Sequence, residues 1–280
     1  MNQLCRLFPK TLFAGLGLCA LSLPWLAASS QAQVVFSQSF SSGDGNAIYT
    51  GTGANQFDGI PAGTGNAFVV NSGALRTTKT DAGSTAINRV TDLTALSGKA
   101  GSFQFDFSVS GVTTNNITND LIFLVGSGLS NTTGQGSGIY QQYNIDLLGG
   151  ATFSVANSSG VFSGLQTITF DLNKTASTVN FPAPGGGTLA LASNYFAVFV
   201  GTTNVFGAGG QQPVGVLGTG NTGFDITEFR LRYQSTGDNG TVTADNFVVT
   251  VVPEPSTYAL LGVGLAGLGA VVARRRRFAC

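Results

Sequence analysis

The chain is predicted to fold as an all-β protein, a two-sheet antiparallel sandwich, with an N-terminal signal peptide before it and a C-terminal membrane helix after it. Three observations carry this prediction. Apolar and polar residues alternate at period two in one segment after another. Turns rich in glycine and asparagine separate those segments. Between residues 33 and 251 no stretch shows the spacing of an amphipathic helix.

The elements follow in order. Residues 1–32 read as a secretory signal peptide: Arg6 and Lys10 give the positive n-region, Thr11 to Ala28 the apolar h-region, and Ser30-Gln31-Ala32 a small-x-small cleavage site before Gln33. Leu26-Ala27-Ala28 is an alternative site, and Pro24 with the small-residue exit argues against an uncleaved anchor. Residues 33–251, about 219, have the length of one large β domain. Within it Phe103, Phe105, Phe107 and Val109 point one way, opposite Gln104, Asp106 and Ser108. Ile139, Gln141, Tyr143, Ile145 and Leu147 alternate in the same manner with Tyr140, Gln142, Asn144 and Asp146. Further strands are expected at Leu121–Val125, Ile168–Leu172, Tyr195–Val200, Ile226–Tyr233 and Thr241–Val252. Turns fall at Asn157–Gly160, Pro184–Gly187 and Gly237–Gly240. Many strands with long polar connections imply two packed sheets.

Residues 252–280 have a different character. Pro253-Glu254-Pro255 precedes an uncharged segment, Tyr258 to Ala273, which is followed by Arg274, Arg275, Arg276 and Arg277. At about 16 residues the apolar segment is at or just under the roughly 17 needed to cross a hydrocarbon core. The arginines stop transfer and hold their end in the cytoplasm. Each proline fixes its own φ and biases the preceding residue towards an extended conformation, so the segment before the helix is stiff and non-helical. An ordinary tail anchor is the alternative, but it has no need of Pro-Glu-Pro.

This tripeptide, apolar helix and terminal Arg cluster, in this order, resemble the PEP-CTERM sorting signal of Gram-negative bacteria, over about a tenth of the chain. The resemblance implies export by the secretion machinery, transient retention in the inner membrane, and processing by an exosortase, an integral-membrane cysteine protease. It makes Pro253, Glu254 and Pro255 the recognised motif, with Cys280 discarded on processing. Such proteins occur in bacteria that make extracellular polysaccharide and biofilm matrix. The body also resembles concanavalin A-like jelly-roll domains in Asn71–Arg76, in the Phe-rich strand Phe103–Phe107 and in Ala244-Asp245-Asn246-Phe247. A β-helix is the rival fold, but it calls for a fixed period of roughly 20 to 25 residues, which is absent.

Composition excludes several chemistries. The chain has no histidine, which removes Ser-His-Asp and Cys-His sites and His-ligated zinc. Its cysteines are Cys5, Cys19 and Cys280, all outside the body, so the processed domain has neither thiol nucleophile nor disulfide. Glu228 is the only glutamate in the body, which excludes a paired-glutamate glycosidase; scattered aspartates leave a divergent polysaccharide-degrading enzyme as a third reading. Of 13 acidic residues only Glu254 lies outside the body, and of 13 basic residues Arg6, Lys10 and Arg274–Arg277 do, leaving 12 against 7 and a net charge of about −5. That sign argues against nucleic acid, which needs a basic footprint.

Two kinds of binding site remain. Calcium suits hard oxygen donors, offered here by Asp44 and Asn46, by Asp238 and by Asp245, although none has EF-hand spacing and turn chemistry explains the first two as well. For sugar, the alternation places Tyr143 on an apolar face and Tyr140 on the polar face beside Gln142 and Asn144, so that only one tyrosine enters the core. Tyr140, Gln142 and Asn144 are therefore the ligand candidates. The function expected is that of an exported, non-enzymatic surface or matrix protein contacting extracellular polysaccharide. A structural or adhesive protein without glycan recognition is the alternative.

Overall fold

Phenylalanine occupies every second position from Phe103 to Phe107, and these three rings lie in the buried core. The computed structural model describes residues 32–253, apart from 63–66, 80–82, 92, 114–120, 135, 156–157, 159, 217–218 and 235–239. The signal peptide before Ala32, the helix at 258–273 and Arg274–Arg277 lie outside the described residues.

Seventeen strands follow in order: β1 (Gln33–Gln38), β2 (Val69–Asn71), β3 (Ala74–Lys79), β4 (Thr85–Arg89), β5 (Ala100–Ser110), β6 (Leu121–Gly126), β7 (Ile139–Gly149), β8 (Thr152–Val155), β9 (Phe162–Ser163), β10 (Gln166–Asn173), β11 (Val179–Pro182), β12 (Thr188–Leu191), β13 (Tyr195–Val200), β14 (Thr203–Asn204), β15 (Gln212–Pro213), β16 (Glu228–Tyr233) and β17 (Gly240–Val252). Among the described residues helix is limited to single 3₁₀ turns at Asn46–Ile48 and Thr94–Leu96.

The strands form two large antiparallel sheets. The first runs β14-β13-β10-β5-β17-β3-β2, with β1 also against β17 and β15 against β13. The second runs β4-β16-β6-β7-β8-β9, and the hairpin β11–β12 stands apart from both. The expected sandwich is therefore present. Its interior is a continuous aromatic layer in which rings of one sheet meet rings of the other. Phe105 stacks on Phe123 at 5.4 Å, Phe170 on Tyr143 at 4.2 Å, and Phe107 meets Phe153 edge-on at 4.9 Å. Offset and edge-to-face aromatic pairs each add roughly 0.5–1.5 kcal/mol beyond burial. The described residues form one compact unit around this core.

Turns and bulges set which residues face inward. Ser72 and Gly73 both have positive φ, 54° and 74°, the type I′ geometry that matches strand twist in a two-residue hairpin between β2 and β3. In β17 the register slips between Asp245 and Val248, with Asn246 at φ 51°. The extra residue reverses the inward parity, from Val242 and Ala244 before the bulge to Phe247, Val249 and Val251 after it. At the same place the outer partner of β17 changes from β3 to β1.

A second slip, in β7, overturns an expectation. Val125 pairs with Gln141 but Gly126 pairs with Ile139, which leaves Tyr140 as the extra residue. Parity flips there, so Tyr140 and Tyr143 both enter the core while Ile139 joins Ile122, Leu124 and Leu129 on the opposite face. The expectation that only one tyrosine is buried assumed unbroken alternation. The strands approach closely at the break: a Cβ on Gly126 would lie 2.0 Å from the Gly138 carbonyl oxygen, so only glycine fits there.

Candidate functional site

The sorting end of the domain is tightly defined. β17 ends at Val252, which pairs with Ala100, and Val251 pairs with Gln33 at the start of β1. Pro253 has no N–H and terminates the ladder. The first strand, β1, and the last, β17, are thus neighbours, and the motif follows the last paired residue directly. Glu254 and Pro255 lie outside the described residues.

The expected ligand trio is not brought together. Gln142 and Asn144 share one face of β7, and Gln142 Nε2 donates to Asn144 Oδ1 at 3.0 Å. Tyr140 is on the other face with 0% exposure, and its hydroxyl donates towards the Asn173 carbonyl at 3.1 Å and Asn194 Oδ1 at 3.3 Å. Burial first, then the charge of Asp225, raises its pKa above the usual phenol value. A buried ring offers no face for sugar stacking.

The proposed calcium donors are engaged by backbone. Asn46 accepts from Val70 N at 2.9 Å and donates to the Phe68 carbonyl at 2.7 Å, imitating a strand partner for that edge. Asp44 Oδ1 accepts from Ser72 N at 2.7 Å. Asp245 Oδ1 takes the N–H groups of Asn246 at 2.7 Å and Phe40 at 3.2 Å, stabilising the β17 bulge. Asp238 lies outside the described residues. Among the described residues no three His, Cys, Asp or Glu side chains gather as a metal-ligating group.

Charged groups on β16 hold a loop instead. Glu228 accepts from Leu129 N at 2.6 Å, and buried Arg230 donates to the carbonyls of Ser130, at 3.0 Å, Thr132 and Gly134. Burial, then repulsion from Arg232, brings the Arg230 pKa down to about 10. These contacts tie residues 129–134 across the outer face of the second sheet.

The feature that sequence reading missed is a cleft of about 540 Å³ between two glycine-rich turns. One wall is the β11–β12 turn, with Ala183, Gly185, Gly186, Thr188 and Leu189; the other is the β13–β14 hairpin and the loop beyond it, with Thr202, Thr203, Asn204, Gly207 and Gly209. Phe199, buried on the outer face of the first sheet, lies at its base. Gly186, Gly207 and Gly209 have φ of 91°, 89° and 68°, so side chains there would strain the backbone. Asn204 braces its wall by accepting from Phe206 N at 3.0 Å and donating to the Gly210 carbonyl at 2.9 Å. The lining carries no charge. Pro184–Gly187 was legible only as a turn, because nothing local shows that it faces residues some twenty positions on.

Residues 251–277 match the family described as PEP-CTERM protein-sorting motif, so the chain carries that motif, and the match begins within β17. No curated protein matches the chain. Similar solved structures include a carbohydrate esterase from the Shiga toxin-encoding bacteriophage phi24B, at 15% identity and TM-score 0.47, covering 80% of this chain and 100% of that one. Another is the basic winged bean lectin with Tn-antigen, at 12% identity and TM-score 0.39, covering 78% and 100%. A third is a Shewanella oneidensis MR-1 protein of unknown function, at 12% identity and TM-score 0.34, covering 86% and 97%. Likeness at this level carries nothing about ligand or activity.

Proposed function

We propose that this is an exported surface or matrix protein, processed by an exosortase at Pro253-Glu254-Pro255, whose sandwich contacts neutral extracellular polysaccharide through the cleft between β11–β12 and β13–β14 without catalysing a reaction. The observation that supports the ligand class most is the cleft lining of glycine, alanine, threonine, asparagine, leucine and phenylalanine. Hydroxyls and backbone groups match sugar hydroxyls, and a volume of this order lies within the usual range of about 300–1,000 Å³ for ligand pockets. With no carboxylate in the lining, the cleft has no pair to serve as acid and base in glycoside hydrolysis. The test is binding of the mature domain to an array of neutral and acidic glycans, with and without calcium. Neutral-glycan binding supports the proposal; binding to none leaves the adhesive reading, which exposed Val161 and Leu165 beside β9 favour.

The sorting half has its own test. Replacing Pro253, Glu254 and Pro255 by alanine keeps the apolar segment and the Arg cluster, so membrane insertion persists while processing stops. The unprocessed chain, still carrying Cys280, is then expected to accumulate in the membrane fraction of the native host, read by its mass. Replacing Arg274–Arg277 instead removes the stop, and retention fails. Identical patterns for wild type and the alanine triple would reduce the tail to a plain anchor.

A further inference from the structure

The β11–β12 hairpin belongs to neither large sheet. Its strands form ladder pairs only with each other, and side chains of Asn173 and Gln211 reach the carbonyls of Leu191 and Ala190 in β12. It is held on the outer face of the first sheet by an apolar patch, in which Val179, Phe181, Leu189 and Leu191 pack with Ala100, Ala197, Phe199 and Val252. A polar pin at its base adds to this: Asn173 Nδ2 donates to the carbonyls of Ser177 at 2.7 Å and Leu191 at 2.8 Å.

Within this patch lies a carboxyl. Asp171 of β10 pairs across to Ser102 of β5 and to Ala197 of β13, a member of the apolar cluster that holds the hairpin. It is 1% exposed, and its Oδ2 has no hydrogen-bond partner. Among the described residues nothing facing it supplies a positive charge. The hairpin contributes only apolar side chains, β5 contributes Ser102, β10 Thr169 and Asn173, and β13 Tyr195, Ala197 and Phe199. The Tyr143 phenol reaches it electrostatically from the other side of the sheet and is itself neutral. Lys174 is directed at the Thr222 carbonyl and the Tyr140 ring, and Lys99 is exposed. Asp106, further along the same face of β5, is another negative group, bound by Thr167 and Asn246.

We propose that the β11–β12 hairpin is a flap, released when Asp171 beneath it takes a negative charge, so that the near wall of the cleft loosens as pH rises. An ionised carboxylate with a bare oxygen under an apolar roof is costly, and the cheapest relief is to lift the roof and admit water. Burial, opposed more weakly by the Ser102 hydrogen bond, moves the Asp171 pKa from 3.8 to about 7 in the closed form. A raised acid pKa places the closed form's full stability at low pH; it declines from about pH 4 to about pH 7 and is constant above that. The effect on sugar binding rests on the saccharide reading of the cleft, whereas the flap motion does not.

Hydrogen exchange of backbone amides in residues 179–191 of the mature protein, corrected for intrinsic rates, tests this between pH 5 and 8. Wild-type protection is expected to fall at least about tenfold over this range, while Asp171→Asn, which cannot ionise, stays flat. Ser102→Ala removes the bond favouring the charged form and is expected to extend the fall to higher pH, its onset near pH 4 being set by the open form. Constant wild-type protection, the same fall in Asp171→Asn, or a fall ending at the same pH in Ser102→Ala overturns the proposal. A pH-dependent flap with no saccharide bound at any pH would overturn the cleft reading alone, and saccharide binding with a pH-independent flap would overturn the flap alone.

Discussion

Phe123→Ala is expected to lower the unfolding free energy of the domain by about 4 kcal/mol, the magnitude typical of removing a buried phenylalanine. Phe123 sits on β6 of the second sheet and touches Phe103, Phe105 and Phe170 of the first, with ring centroids at 6.1, 5.4 and 4.8 Å, and Phe229 beside it at 6.0 Å. Four flat rings fixed in rotamers on two sheets cannot collapse into the space left, so the loss includes a cavity as well as lost transfer energy. Against a total stability of about 5–15 kcal/mol this is severe. Urea unfolding gives the difference, and a loss under about 1.5 kcal/mol would mean that Phe123 does not join the two sheets.

Arg89→Met is expected to cost about 3 kcal/mol. Arg89 Nη1 lies 3.6 Å from Asp58 Oδ1, with side-chain exposures of 1% and 8%, and donates to the Gln56 carbonyl at 2.6 Å. Its guanidinium also stands 5.7 Å from the centre of the Phe36 ring. Breaking a buried pair from one side strands the other charge, which is worth about 3–5 kcal/mol, against about 0–1 for a surface pair. Asp58 keeps the N–H groups of Val90 and Thr91 at 2.6 and 3.0 Å, which places the expected cost at the lower end. Thermal or urea unfolding checks it; a change below 1 kcal/mol would equate this pair with a surface one.

The strands that build the core were legible because their alternation is regular: β5 and β10 turn Phe103, Phe105 and Phe107, and Ile168, Phe170 and Leu172, inward as the sequence predicts. The β17 bulge left a trace, since apolar parity shifts from Val242 and Ala244 to Phe247 and Val249 across Asp245-Asn246. The β7 bulge left none, because it arises where Gly126 meets Gly138 through folding, and Tyr140 was misplaced for that reason. Asp44, Asn46 and Asp245 show the same limit from the polar side. An Asx oxygen suits a cation or a backbone N–H equally, and only tertiary structure brings Val70, Ser72 and Phe40 to these three. The cleft was illegible because its walls belong to separate hairpins, of which the sequence marks only Pro184–Gly187, as a turn.

Gly185 offers the most direct measurement of the central claim. It lines the cleft, its φ is not in the left-handed region, and a Cβ there would meet Thr202 at an ordinary 3.5 Å. Gly185→Trp should therefore fill the cleft without disturbing the fold. Titration calorimetry of the strongest neutral glycan on the array, with wild type and Gly185→Trp at equal melting temperature, is expected to show binding to the first and none to the second. Equal affinity in both proteins would contradict the cleft as the place where this domain meets polysaccharide.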